Sequence, residues 1–243
     1  MQHPMMNRLN KLLALNRSAP RAYRIEVAGD SSTIYLYDVI GYDWWTGGGV
    51  TAKQFARDLA AVKSETIHLR VNSPGGDVFE GRAMVAALQA HPGRVVAHID
   101  GLAASAASFL VMHADEIEIT DGAFMMIHNG WTMALGDRHA MLETAALLEK
   151  IDASIVDDYL KRAKVDRETL AAWMDAETWF TAASAVDEGF ADRIAEPVKG
   201  ASASAWNLAA YDNAPEALVK NDDQEAAHAH RIRALDLIEK TCA

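Results

Sequence analysis

Apolar and polar residues alternate along Thr33-Ile34-Tyr35-Leu36-Tyr37-Asp38-Val39-Ile40, a run rich in β-branched and aromatic side chains that predicts a strand. After the turn segment Gly47-Gly48-Gly49 the period changes. Phe55, Leu59 and Val62 recur at helical spacing, so residues 51–63 read as an amphipathic helix. Alternation returns over residues 66–71, and this second strand runs directly into Asn72-Ser73-Pro74-Gly75-Gly76-Asp77. Residues 78–90 are helix-like, with Met84, Ala87 and Leu88 on one side, and 95–99 make another strand. A helix rich in small residues is expected over 103–113, then short strands over 117–120 and 124–128 separated by Asp121-Gly122. Strands alternating with helices of this length point to an α/β fold assembled from crossover units.

Beyond these units, residues 133–164 contain no proline and no glycine after Gly136, and Met141, Leu148, Ile151, Ile155 and Tyr159 share one helical stripe. They read as one long helix of roughly 40 Å at 1.5 Å rise per residue, enough to overhang a compact domain. An overhanging helix with an apolar stripe usually packs on a copy of itself. Residues 1–22 read as a polar N-terminal arm whose one helical feature is a short amphipathic stretch over 9–15. Residues 200–243 change character: Ala201-Ser202-Ala203-Ser204-Ala205 resembles a linker, a charged stretch with Pro215 and Asp222-Asp223 follows, and 228–240 has helical spacing through Ile232, Leu235 and Ile238. The expectation is a body over 23–199 and a partly disordered appendage over 200–243.

With 50% hydrophobic and 23% charged residues among 243, the chain is too apolar for a disordered protein and fits one large α/β domain with or without a tail. A net charge of −11 argues against a non-specific nucleic-acid binder and against a polybasic membrane-surface protein. The single cysteine, Cys242, excludes a disulfide framework and cysteine-based metal sites. The longest weakly polar run, 102–112, contains Ser105 and Ser108 and falls short of the ~20 residues of a membrane span. The apolar stretch near the N-terminus is interrupted by Asn16 and Arg17, so no signal peptide is read and a cytoplasmic location is expected. None of the nine histidines falls in an HExxH pattern, and there is neither a Walker loop nor a GxGxxG after a strand. No metal, cofactor, nucleic acid or membrane is expected.

Four segments carry the candidate chemistry. In Gly101-Leu102-Ala103-Ala104-Ser105-Ala106-Ala107-Ser108, a strand feeds a glycine and then a small-residue helix whose first turn holds Ser105. Exposed amides and the positive helix end there suit a developing oxyanion. The surrounding pattern is not GxSxG, so an α/β-hydrolase elbow is excluded; taken alone, a capping serine in a close-packed helix explains the segment better. Gly75 and Gly76, immediately after a strand, permit positive φ and leave an amide free to face a ligand. Met125-Met126-Ile127-His128-Asn129-Gly130 sets a histidine at the end of an apolar strand, and Ala176-Glu177-Thr178-Trp179-Phe180-Thr181 sets an acidic residue before a small helix.

In that order, the Gly-Gly turn, the serine in AAS, the histidine in MIH and the acidic residue resemble the Clp protease proteolytic subunit family across about residues 30–195. The resemblance implies an α/β fold of the ClpP/crotonase-like kind, a repeated β-β-α superhelix with a long protruding handle helix at 133–164. It implies a serine endopeptidase with Ser105 as nucleophile, His128 as general base, and the backbone amides of Gly76 and Ala106 as the oxyanion hole. Glu177 stands where the family usually has an aspartate and is preferred over its neighbour Asp175. Extended substrate would lie between Gly75 on one side and Asn129 and Gly130 on the other, while His68, His98 and His113 are left structural. The family further implies protein substrates and homo-oligomeric rings, stacked through the handle helices. Three departures stand out: Ala106-Ala107 after the serine, an N-terminal region unlike the family's axial loops, and the Ser-Ala-rich C-terminal extension. They resemble the head maturation proteases of phages and prophages, which cut capsid or scaffold protein in the host cytoplasm or inside the prohead. Docking to an unfoldase ATPase stays open, as do three alternatives: a housekeeping ATP-dependent Clp proteolytic subunit, a crotonase-like acyl-CoA enzyme, and an inactive ring scaffold.

Overall fold

The computed structural model describes residues 8–44, 46–196 and 206–219. Alternating side chains build its sheet. Ile34 and Leu36 of β2 (Ser31–Tyr37), and Ile67, Leu69 and Val71 of β3 (Thr66–Ser73), point to one buried face. They meet Phe55 and Leu59 of α2 (Ala52–Ala61) and Met84 and Leu88 of α3 (Val78–Ala90) in the main core. On the opposite face stand His68, Arg70, His98 and Asp100, tied by Arg70–Asp100 and by a His68–His98–Glu118 chain with links of 2.9 and 2.8 Å. Parallel strands covered on both faces read as continuous apolar runs. Here the alternation along β2 and the first part of β3 marks a stretch of sheet covered by helices on one face only.

β1 (Ala22–Ala28) pairs antiparallel with β2. From there β2, β3, β4 (Arg94–Ala104), β5 (Glu116–Thr120) and β8 (Arg193–Ala195) run parallel in that order. β4 forks the sheet. Its first half pairs with β5 from Val96 to Ile99, and its second half pairs with β6 (Phe124–Ile127) from Leu102 to Ala104. β6 pairs in turn, antiparallel, with β7 (Thr178–Thr181), which α7 (Ala182–Asp187) follows. The α/β class read from the sequence is the architecture found.

Three spans differ from the sequence reading. The strand expected to stop at 99 continues to Ala104 because β6 offers it a second partner, and α4 covers only Ala106–Val111. The long helix is α5, Arg138–Tyr159, rather than 133–164. Gly136 at φ +148 breaks the chain ahead of it, and the Asp137 carboxylate accepts from the amides of His139 and Ala140 and so sets its first turn. Its C-terminal half is anchored by Ile155 and Tyr159, whereas Met141, Leu142 and Leu147 are exposed.

The third difference concerns the termini. α1 (Arg8–Leu15), expected within a polar arm, buries Leu12 and Leu13. Residues 206–219, expected in a loose appendage, bury Trp206, Leu208, Tyr211 and Leu218 against them. This second core also takes Val39 and the outward faces of Leu102, Ala104 and Met126. That explains why the second half of β4 is buried on both faces. The helix expected over 228–240 and the linker over 201–205 lie outside the described residues. No helix among the described residues is long and apolar enough to cross a membrane.

Candidate active site

The fork in β4 brings the candidate residues together. Because β6 runs parallel to β4 with Ala104 opposite Met126, the residues just beyond both strands emerge at the same end. Ser105 leaves β4 and His128 leaves β6, and His128 Nε2 lies 2.7 Å from Ser105 Oγ. The Ser105 amide donates to the Met126 carbonyl at 3.0 Å, which ties the serine to the histidine's strand. Ser105 itself adopts φ +54, ψ −123, a sparsely populated conformation costing on the order of 1–3 kcal/mol. Two contacts hold it there. The Ser108 hydroxyl donates to the Ser105 carbonyl at 2.6 Å, and Ser108 Oγ is also 2.7 Å from the Tyr159 hydroxyl, buried in the core.

Gly75 and Gly76 have φ +87 and +150. The Ile40 amide donates to the Gly75 carbonyl at 2.8 Å, and the Asp77 amide to the Ile40 carbonyl at 2.9 Å. This is a parallel bridge between Ile40 and Gly76 that leaves the Gly76 N–H out of the pairing. A Cβ at Gly75 would come within 2.6 Å of the Ala104 oxygen, 2.7 Å of Ser105 Cβ and 3.0 Å of the Ala106 nitrogen. The glycine turn therefore lies directly on the serine turn. Ala106 opens α4, so its N–H has no acceptor within the helix. The two amides left out of backbone pairing, those of Gly76 and Ala106, thus belong to the two turns that meet at Ser105.

Glu177 sits one position past the C-cap of α6 (Arg167–Asp175), at φ +49, where glycine is the usual occupant. Its carboxylate is buried but is not on His128. Oε1 accepts from the Asn213 amide at 2.7 Å, and Oε2 lies 3.4 Å from an Arg8 guanidinium nitrogen. Asp175, the competing carboxylate, accepts instead from Asn129 Nδ2 at 2.6 Å. His128 Nδ1 is buried with no hydrogen-bond partner among the described residues. Burial, followed by the Arg8 charge, lowers the His128 pKa to about 4. The Tyr211 ring stands edge-on to His128 with centroids 5.5 Å apart, and its hydroxyl donates to the Pro74 carbonyl at 2.5 Å. Arg8, Tyr211 and Asn213 escaped the sequence reading; the only signal was the aromatic and apolar content of 206–211 in a stretch read as linker.

A cavity of ≈220 Å³ adjoins the serine, with Ser105, His128, Gly76 and Gly130 in its wall. Its apolar lining comes from Val78, Phe79, Met133, Leu148 and Ile151, with Leu9 of α1 at its edge. The Gly130 amide is occupied by Asp152 of α5 at 2.6 Å, and Asn129 lies toward α5 and α6 rather than in this cavity. Among the described residues there is no group of three or more histidine, cysteine or acidic side chains placed to hold a metal. A hydroxyl bonded to an imidazole beside two amides suits acyl transfer, with the hydroxyl as nucleophile.

Comparison with known proteins bears on the same residues. The family model described as Clp protease matches residues 49–198, an interval containing Gly76, Ser105, His128 and Glu177. A similar protein is the ATP-dependent Clp protease proteolytic subunit 1 of Leifsonia xyli, 29% identical over 164 residues, covering 63% of this chain and 82% of the relative. Another is the ATP-dependent Clp protease proteolytic subunit 3 of Rhodococcus jostii, 30% identical over 138 residues, covering 56% and 68% respectively. A third, the ATP-dependent Clp protease proteolytic subunit 1 of Streptomyces avermitilis, is 32% identical over 142 residues, covering 57% and 65%.

Proposed function

Since the chain belongs to the Clp protease family and is a serine-type peptidase, we propose that Ser105 and His128 hydrolyse peptide bonds through an acyl-enzyme. The observation that carries this reading is the 2.7 Å contact between His128 Nε2 and a Ser105 held in a strained turn. His128 takes the Ser105 proton as Oγ bonds to the scissile carbonyl carbon, and the carbonyl electron pair moves onto oxygen. The Gly76 and Ala106 amides receive that oxyanion. On collapse the C–N bond breaks, and His128 returns the proton to the leaving amine. Water then repeats the sequence on the ester and releases the acid. Glu177 accepts from His128 Nδ1 in the active arrangement, fixing the tautomer and stabilising the imidazolium. The apolar cavity beside Ser105 takes a side chain of the substrate, and the Gly75-Gly76 edge pairs with its backbone.

Family members act on protein substrates as oligomeric rings. For this chain the exposed Met141, Leu142 and Leu147 of α5 support stacking of rings through that helix. The finer reading is a phage or prophage head maturation protease acting on capsid or scaffold protein in the host cytoplasm or the prohead. Its support is α1, which packs on its own chain instead of standing free as an axial loop. Fluorophosphonate treatment, intact mass and peptide mapping test the chemistry. One adduct on Ser105, absent in Ser105→Ala, is expected, and cleavage that survives Ser105→Ala overturns it. Co-expression with a phage capsid protein and its scaffold protein tests the substrate. Cleavage only with an unfoldase ATPase and ATP would favour a housekeeping role.

A further inference from the structure

We infer that α1 and residues 206–213 form an autoinhibitory cover, which holds the site latent by engaging Glu177 and closing the space over Ser105. This rests on the peptidase reading and concerns how that site is switched.

The first argument is the unmade hydrogen bond. A buried imidazole nitrogen left without a partner costs about 1–3 kcal/mol, and the groups that would otherwise relieve it are in use. Both oxygens of Glu177 are engaged by the cover, one by Arg8 and the other by the amide of Asn213. Arg8 is itself held by Asp212 of the same C-terminal segment. Its charge also opposes the imidazolium that His128 must become when it takes the serine proton.

The second argument is space. The recess bounded by Arg8, Leu9, Leu12, Gly76, Ser105 and Tyr211 holds only ≈10 Å³, too little for a peptide backbone to lie across the serine.

The third is that the cover is a built interface. Asn16 Nδ2 donates to the Asn207 carbonyl at 2.8 Å, and the Asn207 amide donates to Asn16 Oδ1 at 2.6 Å. Leu12 and Leu13 pack with Trp206, Leu208 and Leu218. Trp206 Nε1 donates to the Asn72 carbonyl at 3.2 Å and Tyr211 to that of Pro74, so the cover is fastened to the loop that carries Gly75 and Gly76. Displacing it frees Glu177 to accept from His128 Nδ1 and opens Ser105 to a substrate backbone.

The test is the rate of fluorophosphonate labelling at Ser105 in the full chain. We compare wild type with Arg8→Gln, which removes the guanidinium and its charge but keeps most of the aliphatic stem, and with Tyr211→Ala. Labelling at least tenfold faster in both variants, with unchanged circular dichroism, is the expected result. A second arm uses wild type alone in urea below its unfolding transition, where labelling should accelerate before secondary structure is lost. Wild type that labels as fast as the folded variants, or a urea series that stays flat or falls, overturns the cover and leaves the peptidase reading intact. If no folded form labels at Ser105 under any condition, the peptidase reading itself fails.

Discussion

Replacing Gly76 by alanine separates the oxyanion role from the mere folding of the turn. A Cβ at this position would overlap the Ile40 carbonyl oxygen and stand 2.9 Å from that carbonyl's carbon and 3.0 Å from the Ile40 nitrogen. These obstacles are backbone, so no side-chain rotation relieves them. The Ile40 and Gly76 segments must part, which weakens the 2.8 Å and 2.9 Å hydrogen bonds of the bridge, each worth about 1 kcal/mol net. With the φ of +150 added at about 1 kcal/mol, Gly76→Ala should lose ~3 kcal/mol of stability. The catalytic loss is separate. Moving the Gly76 amide away from the oxyanion position removes one of two donors, which typically lowers kcat ~10²–10³-fold. The assay is kcat and KM on a peptide substrate beside a urea unfolding curve. Gly122→Ala serves as the control. That glycine has φ +80 in the turn between β5 and β6 with nothing within 4 Å of its Cβ, so it should lose ~1 kcal/mol of stability and no kcat. A folded Gly76→Ala with kcat within threefold of wild type would refute both the donor role and the crowding argument.

Three further outcomes follow from the charges. His128, with the Tyr211 ring edge-on to it and Arg8 of α1 nearby (itself paired with Glu177 and Asp212), has its pKa lowered to about 4 by burial and by Arg8. Between the ordinary value near 6.5 and about 4 the unfolded imidazole binds a proton that the folded one refuses. The stabilisation from neutral His128, ~3 kcal/mol, is thus complete above about pH 6.5 and lost as pH falls toward 4. Urea curves should show His128→Ala losing less stability than wild type between pH 7 and 4, and parallel losses would contradict this. Arg8→Gln should move the acid limb of Ser105 labelling upward in pH, and an unmoved limb would mean that Arg8 does not act on His128. Asp158 of α5, buried, accepts from His113 at 2.9 Å and Lys161 at 3.0 Å and pairs with Arg82. Burial pushes its carboxyl up, but these partners outweigh it and hold it below the ordinary value, so its contribution is lost only as pH falls through that lowered range. Asp158→Asn should cost about 2–3 kcal/mol in urea, less than the ~3–5 of a fully buried pair because Arg82 stays 27% exposed. An unchanged midpoint would show that the cluster adds nothing.

Local periodicity settled much of this molecule. The alternation in β2 and β3, the helical spacing in α2 and α3, and two glycines directly after a strand follow from side-chain direction and allowed φ, which depend on near neighbours alone. His128 is legible at the end of an apolar strand, whereas Ser105 reads as part of the first turn of a small-residue helix and is picked out as a nucleophile through the family resemblance. Their contact is not legible. It depends on the second half of β4 choosing β6 as partner in one register, a pairing that a local pattern of alternation does not specify. The start of α5 was also readable in part, through Gly136, but it took the capping geometry of Asp137 to place it.

The terminal segments mark the other limit. Residues 206–211 carry apolar and aromatic side chains but no sustained period and follow a Ser-Ala run, so no local pattern assigns them to a buried face. They bury because Leu12, Leu13 and the outward face of β4 and β6 form an apolar surface to meet them, with Asn16 and Asn207 joined across 191 positions of chain. The engagement of Glu177 by Arg8 and Asn213 likewise joins groups far apart in sequence. Which carboxylate a buried imidazole can reach is a question of distance in space. The amino-acid order supplied a hydroxyl, an imidazole and a carboxylate; the pairing of β4 with β6 decided that the first two meet, and the folding of both chain ends decided what the third one binds.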